Sequence, residues 1–167
     1  MQGADSTFLI DTLRRIAGFF KMDILPMLSN TFLVSADNAH ALHPNAQNKN
    51  DPTNTVLLNK GVAIKYDINY TTEAVTSSVF KGLCDNAGVP YQNYVSRSDM
   101  NTGTTLGGVS QSHVGVDSVD VGLPQLAMHS ANEIIGSKDV NYLYKALLEF
   151  YNSKIIKEKQ NFKILSN

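Results

Sequence analysis

The stretch Ser35-Ala36-Asp37-Asn38-Ala39-His40-Ala41-Leu42-His43-Pro44-Asn45 brings one carboxylate and two imidazoles close together in the chain. It follows the apolar run Phe32-Leu33-Val34, which reads as a buried strand. In open α/β sheets, ligands bind beyond the carboxyl ends of the strands. Asp37 stands at such an end and reads as a metal ligand. On the alternative reading Asp37 caps a loop and both imidazoles are solvated. His40 and His43 are spaced to share a helix face, but Pro44 pushes His43 towards an extended conformation. A paired ligand set on one helix therefore does not follow, although one of the two can hydrogen-bond a substrate oxygen.

A second cluster is Leu126-Ala127-Met128-His129-Ser130-Ala131-Asn132-Glu133. Ser130 and Glu133 have capping-box spacing, which predicts a helix starting at Ala131. His129 then precedes a helix N-terminus, where the dipole favours neutral imidazole, the metal-binding form. The competing reading is a histidine held by loop backbone. Lys65 closes a second strand, so its ammonium can reach the edge that carries Asp37 and neutralise a substrate carboxylate. A solvated strand-end lysine fits equally well. Tyr70 follows at the start of the next helix and can line the same pocket. The turn Thr102-Gly103-Thr104-Thr105-Leu106-Gly107-Gly108 lacks the Gly-Lys-Ser/Thr ending of a phosphate loop and reads as a tight turn before a helix, with the alternative that it brings backbone N–H groups close to a ligand. His113 reads as a surface residue and Cys84 as a small core residue.

The elements that must position these groups follow from periodicity. Asp5 to Phe20 reads as a helix on Phe8, Leu9, Leu13, Ile16 and Phe20, capped by Asp5 or Ser6. Thr31 to Ser35 is the first strand, and Asn45 to Asn59 is a polar loop. Gly61 to Asp67 is the second strand. Thr71 to Ala87 is a helix with Val75, Val79, Leu83 and Ala87 on one side, stopped by Gly88 and Pro90. Tyr91 to Arg97 is a weak strand, and a short helix runs through His113. Val116 to Val121 alternates Val with Asp or Ser and reads as a strand. Val140 to Lys157 reads as the clearest helix, with a stripe from Val140 to Ile155. Strands alternating with helices predict an α/β fold.

Composition narrows the function. The 167 residues are enough for about one domain, and 43% are apolar. Net charge is -1 with pI near 6.4, and no early Lys/Arg cluster occurs, which argues against nucleic acid. No stretch approaches the roughly 20 apolar residues of a membrane span. One cysteine excludes an internal disulfide and fits a reducing, cytoplasmic setting.

The Ser35–Asn45 stretch and Gly122-Leu123-Pro124-Gln125-Leu126-Ala127-Met128-His129-Ser130 together resemble the aspartyl aminopeptidase family, which includes the vacuolar aminopeptidase I type. Lys60-Gly61-Val62-Ala63-Ile64-Lys65 is similar to the family's Lys-Gly-Pro-Xaa-Ile-Lys strand. Arg97-Ser98-Asp99, Gly103-Thr104-Thr105-Leu106-Gly107, Gln2-Gly3-Ala4-Asp5-Ser6 and Leu13-Arg14-Arg15-Ile16 also match. The resemblance runs from residue 2 to about residue 151. It implies a zinc-exopeptidase-like α/β domain with a central mixed sheet flanked by helices. It also implies a metallopeptidase that removes the N-terminal residue of peptides with two bridged zinc ions. Asp37 would bind one metal and His129 the other, while His40, Lys65 and Tyr70 would touch substrate. Large homo-oligomers are implied too.

The departures bear on activity. The family carries its general-base Glu, a ligand Glu, a ligand His and the bridging Asp upstream of the Gln2-Gly3-Ala4 match. The chain is therefore expected to be the C-terminal part of one catalytic domain, with residues 152–167 a helix end and tail. It would hold one ligand per metal and be inactive alone, since a zinc site takes roughly three or four ligands. Val62 replaces the family's Pro, and the segment between Lys65 and Tyr70 is shorter, which weakens the expectation of strict acidic preference. The rival expectation is a non-catalytic module that binds peptide or subunits. A single zinc held by Asp37, His40, His43 and His129 is a third.

Overall fold

The computed structural model describes residues 5–100, 103–159 and 161–166. Gln2, Gly3 and Ala4 of one matching motif, and Thr102 of the glycine turn, lie outside the described residues. Helices α1 (Phe8–Phe19) and α2 (Ile24–Ser29) lead into β1 (Phe32–Ala36) and the short β2 (Ala39–His40). After a polar loop come β3 (Val62–Tyr66), α3 (Ala74–Asn86), β4 (Tyr91–Val95), α4 (Leu106–Val114) and β5 (Asp117–Gly122). The chain ends with β6 (Pro124–Leu126), β7 (Ile134–Ile135), α5 (Ser137–Asn152), β8 (Ser153–Glu158) and β9 (Asn161–Ser166).

The central sheet has the order β1-β5-β3-β4 and is mixed. β1 runs parallel to β5, β3 runs parallel to β4, and β5 meets β3 antiparallel at Ile64 and Val121. Because successive side chains alternate between faces, the two faces differ. Val62, Ile64, Val119 and Val121 form one core with Val79, Phe80, Leu83 and Cys84 of α3 and Ala146 of α5. The opposite face carries Ala63, Lys65, Ser118 and Asp120, all buried. Under α1 and α4, Leu33 packs against Ile10, Val114 and Val116. The expected α/β fold with a mixed sheet between helices is observed.

Several details differ from the sequence reading. β1 lies at the sheet edge among the described residues, so Phe32, Leu33 and Val34 are only half-buried, and Ser35 alone in the strand is buried. Thr7, not Asp5 or Ser6, is the N-cap of α1, and Ser6 Oγ accepts from the Phe8 N–H at 3.3 Å. On α3, Val75 faces solvent while Phe80 and Cys84 are fully buried. The final helix stops at Asn152, and β8 and β9 pair as antiparallel strands rather than continuing as a helix end and tail. The β-branched Ile155 and Ile156 favour the extended chain. Ile155, Phe162 and Ile164 then close the core, with the Phe162 ring edge-on to Phe32 at 5.4 Å.

Candidate active site

The site lies where the chain leaves β1. The Asp37 N–H donates to Val121 O at 2.9 Å, Ala39 N–H to Leu123 O at 2.9 Å, and Ala41 N–H to Gln125 O at 2.8 Å. These bonds carry residues 37–41 across the end of β5 and along β6. Gly122 makes the crossing possible, since an added Cβ there would sit 1.8 Å from Asp37 O. Asn38 Nδ2 donates to Gln125 Oε1 at 2.6 Å and fixes the crossing from the side.

Lys65, at the end of β3, reaches this loop from below. Its Nζ donates to Asp37 O and to Asn38 O, each at 3.1 Å, and lies 3.8 Å from Asp37 Oδ2. The Tyr70 ring covers it, with the centroid 5.1 Å from Nζ. Lys65 is 2% exposed, so the solvated-lysine reading is excluded. Burial holds its pKa below the usual lysine value, and the Asp37 and Asp120 charges partly offset this. Burial, the neighbouring Tyr94 and the Asp67 charge push the Tyr70 phenol well above its ordinary value. Tyr70 lies in the loop before α3, not in the helix. His40 ends β2, and its pKa is lowered by partial burial, then by His129 and Lys65.

His129 arrives differently from its prediction. No helix begins at Ala131. Residues 127–133 form a turn, with Ala127 and His129 at positive φ of 55° and 68°. The Glu133 carboxylate accepts the His129 N–H at 2.5 Å inside that turn, and Ser130 Oγ accepts the Asn132 N–H at 3.2 Å. The capping residues thus close a loop on themselves, and Ile134 and Ile135 continue as a strand against β6. No helix dipole acts on His129 there.

One cleft of about 620 Å³ is lined by Asp37, His40, Lys65, Tyr70 and His129. All five residues singled out in the sequence therefore meet. His43 also reaches the cleft, with its Nδ1 accepting the Asn45 N–H at 3.2 Å. His113 stands elsewhere, 3.4 Å from Asp5. The Gly103-Thr104-Thr105 turn, read as structural, lines the cleft as well. Sequence reasoning missed Asn38, Tyr94, Gln125 and Asp120. The available signal was a carboxylate, Asp120, set inside a strand between Val119 and Val121.

The donor set fits a metal only in part. Asp37 offers a half-exposed carboxylate, and His129 lines the same cleft. Among the described residues no three His, Cys, Asp or Glu side chains converge on one point. The single zinc on Asp37, His40, His43 and His129 is therefore not assembled. Asp37 and His129 alone do not make up a complete zinc shell.

Residues 1–151 match the family described as aminopeptidase I zinc metalloprotease (M18). The chain belongs to this family. It is 47% identical over 156 residues to the probable M18 family aminopeptidase 2 of Clostridium novyi (strain NT), covering 90% of this chain and 36% of that protein. Among solved structures, the Ape4 and Nbr1 complex matches with a TM-score of 0.86 at 40% identity, covering 90% of this chain and 29% of the matched one. The S. cerevisiae mApe1 dodecamer matches with a TM-score of 0.78 at 26% identity, covering 90% and 34%. This M18 chain thus spans about 36% of the length of the curated relatives it matches. Among the described residues no helix is long and apolar enough to cross a membrane.

Proposed function

We propose that this chain is the C-terminal part of the catalytic domain of a zinc aminopeptidase that removes N-terminal residues from peptides. The observation that carries the proposal is the single cleft shared by Asp37, His40, Lys65, Tyr70 and His129. Asp37 and His129 would each hold one of two zinc ions, which when bound polarise a carbonyl and activate water. His40, whose pKa is lowered, is a neutral hydrogen-bonding group at neutral pH and would steady the developing oxyanion. Lys65 and Tyr70 would shape the pocket for the first side chain. Two Lys65 N–H groups already serve main-chain carbonyls. Two of the three ammonium donors are thus engaged by the Asp37–Asn38 main chain, which favours a neutral or broad preference over a strictly acidic one.

The general-base Glu and the remaining ligands would come from a part of the family's polypeptide outside this sequence, so the 167 residues alone would not hydrolyse peptides. Homo-oligomeric assembly is proposed by analogy with the mApe1 dodecamer. A cytoplasmic setting is supported by the single, buried Cys84. The low donor count also supports a second reading, a non-catalytic module that binds peptide or subunits.

Zinc per chain after dialysis, by elemental emission, tests the proposal alongside hydrolysis of a leucyl and an aspartyl dipeptide. The expected result is less than about 0.1 zinc per chain and no turnover, because two donors leave a zinc shell incomplete. One tightly held zinc per chain, or turnover by the isolated chain, would sink it.

A further inference from the structure

We propose that Asp120 is a positioning residue that fixes one wall of the cleft without touching what the cleft binds. Asp120 is 0% exposed and does not line the cleft. It sits on β5 one position beyond the Val121–Ile64 pair, and so beside Lys65 on the polar face of the sheet. Its Oδ2 accepts from the Thr71 N–H at 2.8 Å and from Thr71 Oγ1 at 2.9 Å. Its Oδ1 accepts from Thr105 Oγ1 at 2.8 Å. Its own N–H donates to Thr72 Oγ1 at 2.9 Å.

These bonds join two segments that are far apart in sequence. Thr71 and Thr72 belong to the loop that carries Tyr70, and Thr105 ends the Gly103 turn. Tyr70, Gly103, Thr104 and Thr105 all line the cleft. One buried carboxylate therefore holds both segments against β5. The start of α4 closes over it: an added Cβ at Gly107 would fall 2.4 Å from Oδ1. Burying a carboxylate is costly unless hydrogen bonds compensate, and here each bond ends on a cleft-forming segment. What the wall recognises rests on the aminopeptidase reading; how the wall is held rests on these bonds alone.

The test is amide hydrogen exchange with resonance mapping on the ¹⁵N-labelled 167-residue chain. In Asp120→Ala, the Thr71 amide should exchange faster by about tenfold or more, the scale of one lost charge-assisted hydrogen bond. Tyr70 and the Gly103–Thr105 resonances should shift, while the amides of β3 keep their rates. Asp120→Asn retains an acceptor for Thr71 and should bring its exchange back to within about threefold of the original. Unchanged Thr71 exchange in Asp120→Ala overturns the proposal. So does uniform acceleration across β3 and β5, which marks general destabilisation. Should Asp120→Ala not fold, Thr105→Val decides: a displaced Gly103 turn with Thr71 still protected supports the proposal, and an unmoved turn overturns it. No substrate enters the measurement. A cleft held by Asp120 that takes no peptide would therefore leave this inference standing while the aminopeptidase reading falls.

Discussion

The two faces of the central sheet come from alternate residues of the same strands, yet they are built on different physics. On one, Val62, Ile64, Val119 and Val121 meet α3, α5 and the terminal hairpin in an apolar core. On the other, Lys65 and Asp120 are just as buried but hold their neighbours by directed bonds. The apolar face is non-directional and tolerates shape more than it dictates position. The polar face dictates position at Lys65 and Asp120, because a buried charged group is stabilised only by partners in fixed directions. The cleft lies on the polar side, where loops have to be held in place and not merely covered.

Core truncation should give the largest effect and mark the apolar side. Phe80→Ala is expected to destabilise the fold by about 3–5 kcal/mol in urea denaturation. A loss below about 1 kcal/mol would mean that α3 does not anchor the sheet. On the polar side, Lys65→Met should cost about 1–3 kcal/mol at neutral pH, because the Asp37 and Asn38 carbonyls lose their donor. Amide exchange should localise that loss to residues 37–41.

Alkaline pH sharpens the contrast, because the two sides titrate with opposite sign. Burial, then the Asp85 charge, pushes the Cys84 thiol up to about 12. Its contribution is full below the unfolded value of 9.0 and is lost as pH rises towards 12. Lys65 is held below its unfolded value of 10.5, so the penalty for burying its charge is full below the folded pKa and disappears as pH rises from there to 10.5. Cys84→Ala should therefore flatten the alkaline decline in stability, and Lys65→Met should steepen it. Equal slopes in both variants would erase the distinction. The smallest effect is expected at Ser118, whose buried Oγ has no hydrogen-bond partner among the described residues. Ser118→Ala should be neutral or stabilising by up to about 1 kcal/mol in the same denaturation assay.

The legible parts of the chain were those where one periodicity dominates. The Phe32–Val34 run, the Val62–Ile64 strand and the Val79–Leu83 helix face all appear where their patterns place them. Asp37, His40 and Lys65 were legible because they fall at or near strand ends, where sheet topology gathers them, whereas His129 was read as preceding a helix that does not form. Two segments misled for local reasons. Ser130 and Glu133 have the spacing of a helix cap, but Glu133 bonds the His129 N–H within a tight turn. Ile155 continues the α5 stripe in register, so nothing in the three-to-four-residue spacing announces that the helix stops at Asn152. Tertiary packing against Phe32 decides that segment. Asp120 was hidden for another reason. Alternation of Val with Ser and Asp reads as one wet face, whereas both faces of β5 are covered.

Gly122 has a consequence for how this protein can vary. Its missing side chain is the space through which the Asp37 main chain passes, with Asp37 O at 1.8 Å and the Asp37 carbonyl carbon at 2.6 Å from where a Cβ would stand. Backbone cannot step aside as a flexible side chain can. In a saturation library, position 122 should thus tolerate substitution as poorly as position 37 itself. Two sites far apart in the chain would then share one mutational fate, and drift at 122 would be barred by a geometry written at 37.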